Sequence, residues 1–324
     1  MGSTLRLSPS QLQLAVELLK AGSLVAFPTE TVYGLGASIF LPAAIEMIYK
    51  AKGRPADNPL IAHVSSLEQV KEIAIDIPPV FYRLVETFWP GPLTLVLKRH
   101  PDVPAIVSAG LNTIAVRMPS HPIARELISL AGTPLVAPSA NLSGRPSSTC
   151  FEHVLEDFEG KIAAVVQGGK TEIGIESTVL SLIGDEPVLL RPGSISQKSL
   201  EDILGSPIAA PAQHSGPVLS PGMKYRHYCP KTPIKLFHTL DAVIAYFRAA
   251  PHKRCMYLAK QPLPEYFPLL QHFPLSAPDF YALLRLADRD GYDEIVILGD
   301  EEVQSDSGLM NRILRASGQN LIGF

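Results

Sequence analysis

The chain has 324 residues, 46% apolar and 18% charged, with a net charge of −3 and a pI near 6.3. That length suits two soluble domains with sizeable cores, and the acidic balance excludes a chain-wide basic surface, so any phosphate or nucleic-acid site must be a local patch. The three cysteines, Cys150, Cys229 and Cys255, form no C-x-x-C pair; their odd number excludes complete internal pairing and fits a reducing compartment.

In chain order, residues 10–21 predict an amphipathic helix stopped by Gly22, with too much polarity for a signal peptide. No apolar run reaches 18 residues, so no membrane span is expected, and a cytoplasmic location is. The run "LVAF" (24–27) predicts a buried strand. Pro42 suits the first turn of a helix that runs to about Lys50. Short apolar runs bounded by Gly, Pro or Ser predict strands at 60–64, 93–97, 113–117, 134–138, 162–166, 177–182 and 187–191. Helical patterns lie near 79–89, 122–131 and 150–157. Together these predict an α/β domain over 1–205. Residues 206–233 hold six prolines and read as a linker, too aromatic and basic at "PGMKYRHYCP" for an inert spacer. Over 234–324, strands at "IKLF", "CMYLA" and "EIVILG" alternate with helices near 240–249, 278–289 and 308–316, predicting a small doubly wound α/β domain.

Two stretches imitate nucleotide motifs. "YGLGAS" follows a strand, but Ile39 stands where G-x-G-x-x-G needs its third glycine. "GGKT" (168–171) has Ala164 where a P-loop needs its first glycine. The histidines show no metal-ligand spacing with Cys or carboxylates, so no protein-held metal is expected.

Other polar groups gather at predicted strand ends, where an α/β sheet forms its ligand crevice. "YKAKGRPADNP" brings Lys50, Lys52 and Arg54 to a helix end broken by Gly53 and Pro55; taken alone it reads as a solvated C-terminus complementing the helix dipole. The next strand carries His63, which in isolation reads as a satisfied core histidine. Arg117 ends a strand, and an arginine there needs an anionic partner or water. Ser139, Asn141, Ser143, Arg145, Ser147 and Ser148 follow another strand, Glu176, Ser177 and Thr178 begin one, and Arg191 ends one. No nucleophile–base pair stands out. The pattern predicts an anion or nucleotide site acting by positioning and charge neutralisation.

The motifs "FPTETVYGLGA", "KGRPADNPL", "WPGPLTLVL", "TIAVRMPSHP", "APSANLSGRPS", "GIESTVL" and "LRPGSI" resemble the YrdC family, the threonylcarbamoyl-AMP synthases, over about residues 10–205. The linker and following domain resemble its two-domain form. The resemblance implies a YrdC-like twisted mixed sheet with a concave basic face, plus a small Rossmann-like C-terminal α/β domain. It implies that L-threonine, bicarbonate or CO2 and ATP give threonylcarbamoyl-AMP and pyrophosphate, the first step of threonylcarbamoyladenosine formation in tRNA. A downstream threonylcarbamoyl transferase complex would take the product. Mg2+ is expected with ATP, as is a weak contact with tRNA. Carried over residue by residue, Thr31, His63, Arg117, Ala137 and Ser177 face L-threonine. Arg54, Asn58, Thr113, Ser139, Ser147, Arg191 and Tyr225 face ATP, Tyr225 as a lid. Lys52, Arg54, Ser139 and Asn141 are the expected catalytic groups. Arg117 would capture the amino-acid carboxylate, and His63 is a candidate base or orienting group. The glycines of "YGLGAS" are expected to let the chain turn beneath the amino-acid pocket. Two alternatives are an RNA-binding protein, whose affinity would fall steeply with salt, and a relative that makes carbamoyl adenylate from carbamoyl phosphate.

Overall fold

The structure, a computed structural model, describes residues 3–208, 227–249 and 253–318. The chain divides into two compact units: 1–143 with 147–225, and 144–146 with 226–324.

The strands of the first unit are β1 (Leu5–Leu7), β2 (Val25–Phe27), β3 (Gly34–Ser38), β4 (Ile61–His63), β5 (Ala74–Ile75), β6 (Leu93–Arg99), β7 (Thr113–Arg117), β8 (Leu135–Val136), β9 (Ala164–Val166), β10 (Thr178–Ser181) and β11 (Val188–Arg191). Among the described residues they form one mixed sheet in the order β1-β9-β2-β3-β8-β4-β7-β6-β10-β11, with β5 paired to β6. The helices are α1 (Leu12–Lys20), α2 (Pro42–Lys52), α3 (Leu67–Ile73), α4 (Pro79–Phe88), α5 (Pro122–Ala131), α6 (Phe151–Phe158) and α7 (Gln197–Leu204).

The two-residue period of a strand sends alternate side chains to opposite faces. On one face Ala26, Ala62, Leu93, Leu95, Leu97, Ile114, Val116 and Leu180 join the largest apolar cluster, with residues of α2, α3, α4, α6 and α7. The other face is divided. Toward β1 and β9, Val25, Phe27, Leu135, Ala164 and Val166 pack with α1 and α5. Toward β11, Ile61, Val96, Ala115, Val179 and Leu190 form a smaller apolar floor. Because Arg117 and Thr113 lie two residues either side of Ala115, and Thr94 two before Val96, the same parity puts these polar residues at the edges of that floor. His63, two after Ile61, joins them.

Local sequence explains the helix bounds. Pro42 opens α2, and Gly53 ends it at φ 61°, a conformation that costs glycine little. His121 caps α5 by accepting from the Ile123 N–H, Pro122 opens it, and Gly132 stops it.

One expectation fails here. "GLGAS" was expected to turn; it is strand β3, paired antiparallel with β2, Phe27 opposite Gly34 and Val25 opposite Gly36. A Cβ on Gly36 would stand 2.7 Å from Phe27 Cε1, and one on Gly34 3.1 Å from Ala137 Cβ. These glycines serve close packing against Phe27 and Ala137, not a turn.

The second unit contains a four-stranded parallel sheet of β12 (Ile234–Phe237), β13 (Cys255–Ala259), β14 (Leu270–Pro274) and β15 (Glu294–Leu298), ordered β12-β15-β13-β14. Its helices are α8 (Leu240–Ala249), α9 (Ala277–Asp290), α10 (Glu301–Ser305) and α11 (Ser307–Ala316). Parallel strands need crossover connections, and α8 and α9 lie in two of them.

Candidate active site on the divided face of the large sheet

The loop between β2 and β3 builds one wall. The Thr29 hydroxyl lies 2.7 Å from the Val32 carbonyl, to which it donates, and 2.9 Å from Thr31 Oγ1. This local turn holds Thr31 so that its hydroxyl accepts from Arg117 Nη1 at 2.8 Å. Arg117 Nε donates to the Gly91 carbonyl, and Nη2 lies 2.5 Å from Glu30 Oε1. Glu30 and Arg117 are each only 3% exposed. His63 stands opposite Arg117 in the β4–β7 register, edge-on to Phe27. Thr31, His63 and Arg117 therefore converge, and Glu30 joins them.

Electrostatics separates the roles of these groups. Burial pushes the Glu30 pKa up, but the Arg117 charge and hydrogen bond, with the backbone N–H groups of Glu30 and Ser120, bring it below the ordinary value. Burial lowers the His63 pKa to about 3, with Arg117 repelling its proton as well. His63 is thus neutral near pH 7 and too weak a base to take a proton from an ammonium group. The candidate base role expected for it does not survive; its neutral ring can still orient a substrate.

Tyr33 is fully buried; its hydroxyl donates to the Gly169 carbonyl and accepts from the Gly168 N–H. Gly168 packs so closely on Pro28 that a Cβ there would collide with the proline ring. The "GG" that imitates a P-loop is thus a packing feature beneath the "FPTE" segment.

A second group centres on the loop after β8. Lys52 is buried, and its Nζ donates to the carbonyls of Ser139 and Asn141, each at 2.5 Å. Ser139 Oγ donates to Asn141 Oδ1 at 2.5 Å. Lys52, Ser139 and Asn141 are together as expected, with the ammonium spent on positioning backbone. Arg54 donates to the carbonyls of Asn58 and Pro59. Among the described residues the buried Asn58 Oδ1 has no hydrogen-bond partner, which leaves it an acceptor for a bound donor. Ala137 N donates to the Ile61 carbonyl. Ser147 is fully buried and donates to Glu176 Oε1 at 2.5 Å.

A third group lies at β6, β10 and β11. Ser177 Oγ is 2.8 Å from Thr94 Oγ1. Arg191 Nε and Nη2 both reach the Ser177 carbonyl, and Nη2 also reaches its hydroxyl. Thr113 stands apart: it begins β7 while Arg117 ends it, so they are about 13 Å apart at ~3.3 Å per residue. Thr113 lines a groove of about 430 Å³ with Asp76, Pro78, Leu97, Lys98, Asn112 and the 182–184 turn. Tyr225 lies outside the described residues.

Sequence reading passed over Glu30 and Thr94. Glu30 sits inside the "FPTETVYGLGA" motif, and Thr94 interrupts an apolar strand; a charged or polar residue in an otherwise buried run was the available signal.

A divided α/β sheet face, with buried arginines, hydroxyls and an amide around an apolar floor, defines a protein that binds a small polar or anionic ligand. Comparison with known proteins makes this particular. Residues 17–193 match the Sua5/YciO/YrdC family model, described as "Telomere recombination", and residues 195–318 match the model for the threonylcarbamoyl-AMP synthase C-terminal domain. The chain is 43% identical to the threonylcarbamoyl-AMP synthase of Pyrococcus abyssi, over 98% of this chain and 97% of the relative. It is 40% identical to that of Bacillus subtilis, over 96% and 94%. A crystal structure of P. abyssi Sua5 complexed with L-threonine superposes with a TM-score of 0.89 at 41% identity, covering 99% of each chain. The chain belongs to the threonylcarbamoyl-AMP synthase family, and it is an enzyme of the nucleotidyltransferase kind.

Proposed function

We propose that the floor of Ile61, Val96, Ala115, Val179 and Leu190, with the three polar groups around it, is the site that makes L-threonylcarbamoyl-AMP and pyrophosphate from L-threonine, bicarbonate or CO2, and ATP. This is the first step of threonylcarbamoyladenosine formation in the tRNA anticodon loop. The convergence of Thr31, His63 and Arg117 in one buried corner carries the reading. It offers a hydroxyl, a neutral imidazole and a guanidinium, the chemistry that a hydroxylated amino acid requires, and the relative's complex with L-threonine supports it.

Ala137 and Ser177 complete the threonine side. Arg54, Asn58, Thr113, Ser139, Ser147, Arg191 and Tyr225 make the nucleotide side, and Lys52 with Asn141 shapes the "SAN" loop between them. The unprotonated threonine amine adds to CO2 with loss of a proton to solvent, or condenses with bicarbonate with loss of water, to give a carbamate. A carbamate oxygen then attacks the α-phosphorus of ATP, the bond to the bridging oxygen breaks, and pyrophosphate leaves. Arg54 and Arg191 offset charge developing on the phosphates. Mg2+ is proposed to travel with those phosphates, supplying charge neutralisation, since it keeps most of its waters and needs few protein ligands. Among the described residues no three His, Cys, Asp or Glu converge as a metal-binding group.

The domains are proposed as 1–205 catalytic, 206–233 linker and lid, and 234–324 accessory. No described helix is long and apolar enough to cross a membrane. Action in the cytoplasm, transfer of the product to a threonylcarbamoyl transferase complex and a weak contact with tRNA complete the proposal.

Incubating the purified chain with ATP, labelled bicarbonate and L-threonine tests it. Threonine-dependent pyrophosphate and a labelled adenylate are expected; their absence would sink the assignment. Arg54→Ala should lose ATP-dependent turnover while keeping its fold, and near-normal turnover would remove Arg54 from the site.

A further inference from the structure

Glu30 is a buried carboxylate whose one charged close partner is Arg117, with backbone N–H groups of Glu30 and Ser120 beside it and acceptor capacity to spare. Arg117 Nη2 stands 2.5 Å from Oε1 and the backbone N–H groups of Glu30 and Ser120 lie close, yet among the described residues neither Glu30 oxygen receives a hydrogen bond of good geometry. A carboxylate has about four lone-pair sites, and leaving them unfilled away from water is costly. Such a group next to a substrate pocket asks for a donor that arrives with the substrate.

The charges around Glu30 restrict what that donor can be. Arg117 and Glu30 cancel, and the neighbouring His63 is neutral near pH 7. His121, half-buried at the start of α5, also faces Glu30; burial holds it below the usual histidine range. The corner is therefore close to neutral. It suits a ligand carrying both charges better than a bare anion. A free amino acid is such a ligand: its carboxylate can meet the Arg117 guanidinium and its ammonium the Glu30 carboxylate.

We propose that Glu30 recognises the α-ammonium group of the amino-acid substrate, so that Glu30 and Arg117 together read the zwitterion. This rests on the threonine reading of the pocket. With Glu30 between them, Arg117 and the substrate ammonium are each paired with one carboxylate, which offsets their mutual repulsion. Glu30 serves as a binding residue and not as the base: a carboxylate stabilised by Arg117 has far too little proton affinity to deprotonate an ammonium group. Amino-group recognition also explains why a carboxylate is buried where the carboxylate of threonine alone would call for cations.

The test compares L-threonine with (R)-3-hydroxybutyrate, which keeps the carboxylate and hydroxyl and lacks the amine. Both compete with labelled L-threonine for the full chain, wild type, Glu30→Gln and Glu30→Asp. Wild type should prefer threonine at least 10-fold. Glu30→Gln should weaken threonine at least 10-fold while 3-hydroxybutyrate holds its affinity or gains. KM for ATP should stay within 2-fold. Equal weakening of both ligands would overturn the proposal, because Glu30 would then act only through Arg117. Should Glu30→Gln fail to fold, the wild-type comparison and Glu30→Asp decide: equal wild-type affinity for the two ligands also overturns it. If the wild type binds no threonine at all, the threonine reading itself falls, an outcome distinct from loss of amine discrimination.

Discussion

Lys52 Nζ lies 2.5 Å from the carbonyl oxygen of Ser139, across 87 positions of sequence, and at the same distance from that of Asn141. The lysine at the end of α2 thus ties down the loop after β8 from below. Lys52→Met should remove two charged hydrogen bonds and strand two carbonyls, destabilising the chain by about 1.5–3 kcal/mol and lowering turnover at least 10-fold. Urea unfolding beside steady-state kinetics checks this. A raised KM for ATP with unchanged stability would mean that Lys52 acts on phosphate directly.

The Glu30–Arg117 pair predicts asymmetric costs. Arg117→Met strands a buried carboxylate and should cost about 3–5 kcal/mol, as breaking buried pairs does. Adding Glu30→Gln removes the stranded charge, so the double variant should be more stable than Arg117→Met alone. Chemical denaturation of wild type, both single variants and the double variant gives the comparison; independent, additive losses would count against a direct pair.

Gly36→Ala places a methyl group 2.7 Å from Phe27 Cε1. Overpacking of this kind costs about 1–3 kcal/mol. Phe27→Leu in the same chain should recover part of the loss, measured as the shift in unfolding midpoint. If Gly36→Ala is neutral, β2 and β3 have room that the packing denies.

Acidification should destabilise the fold from pH 6.5 downward. Unfolded His63 binds its proton near pH 6.5, whereas folded His63 resists until about 3. Between those values the unfolded state holds more protons, so stability falls with falling pH, by at most about 1.4 kcal/mol per unit for one histidine. His121 is shifted in the same direction and adds to the slope. Glu30, whose folded pKa is also depressed, contributes its stability above the ordinary glutamate range and loses it as pH falls through the lower folded value. His63→Gln should flatten the dependence between pH 6.5 and about 5.5, above the range in which an unfolded glutamate takes up its proton; an unchanged slope would remove His63 from it.

Much of the architecture was legible in short windows. "LTLVL" reads as strand β6 because alternation needs no distant partner, and Pro42 and Gly53 frame α2 by their own backbone preferences. β3 was not legible: "GLGAS" has low strand propensity, and only Phe27 across the pair explains its glycines. β14 was also passed over, since "LQHFP" lacks clean alternation and takes its register from β13. The motifs carry most of the residues proposed for the site, and relatives matched over nearly their whole length bear out the family they pointed to.

Local propensity, apolar period and motif order, all written within a few residues of each position, were enough for most of the element types, the α/β class and the family. The jobs of individual polar side chains were settled elsewhere. Lys52 reads as a solvated cation at a helix end and clamps backbone carbonyls; Arg117 reads as needing an anionic partner or water, and the partner is Glu30; His63 reads as a core histidine, or by the resemblance as a base or orienting group, and is kept neutral. Each difference has one cause. The energy of a buried charge depends on what the fold places within a few ångströms of it, and those neighbours come from chain segments far apart in sequence.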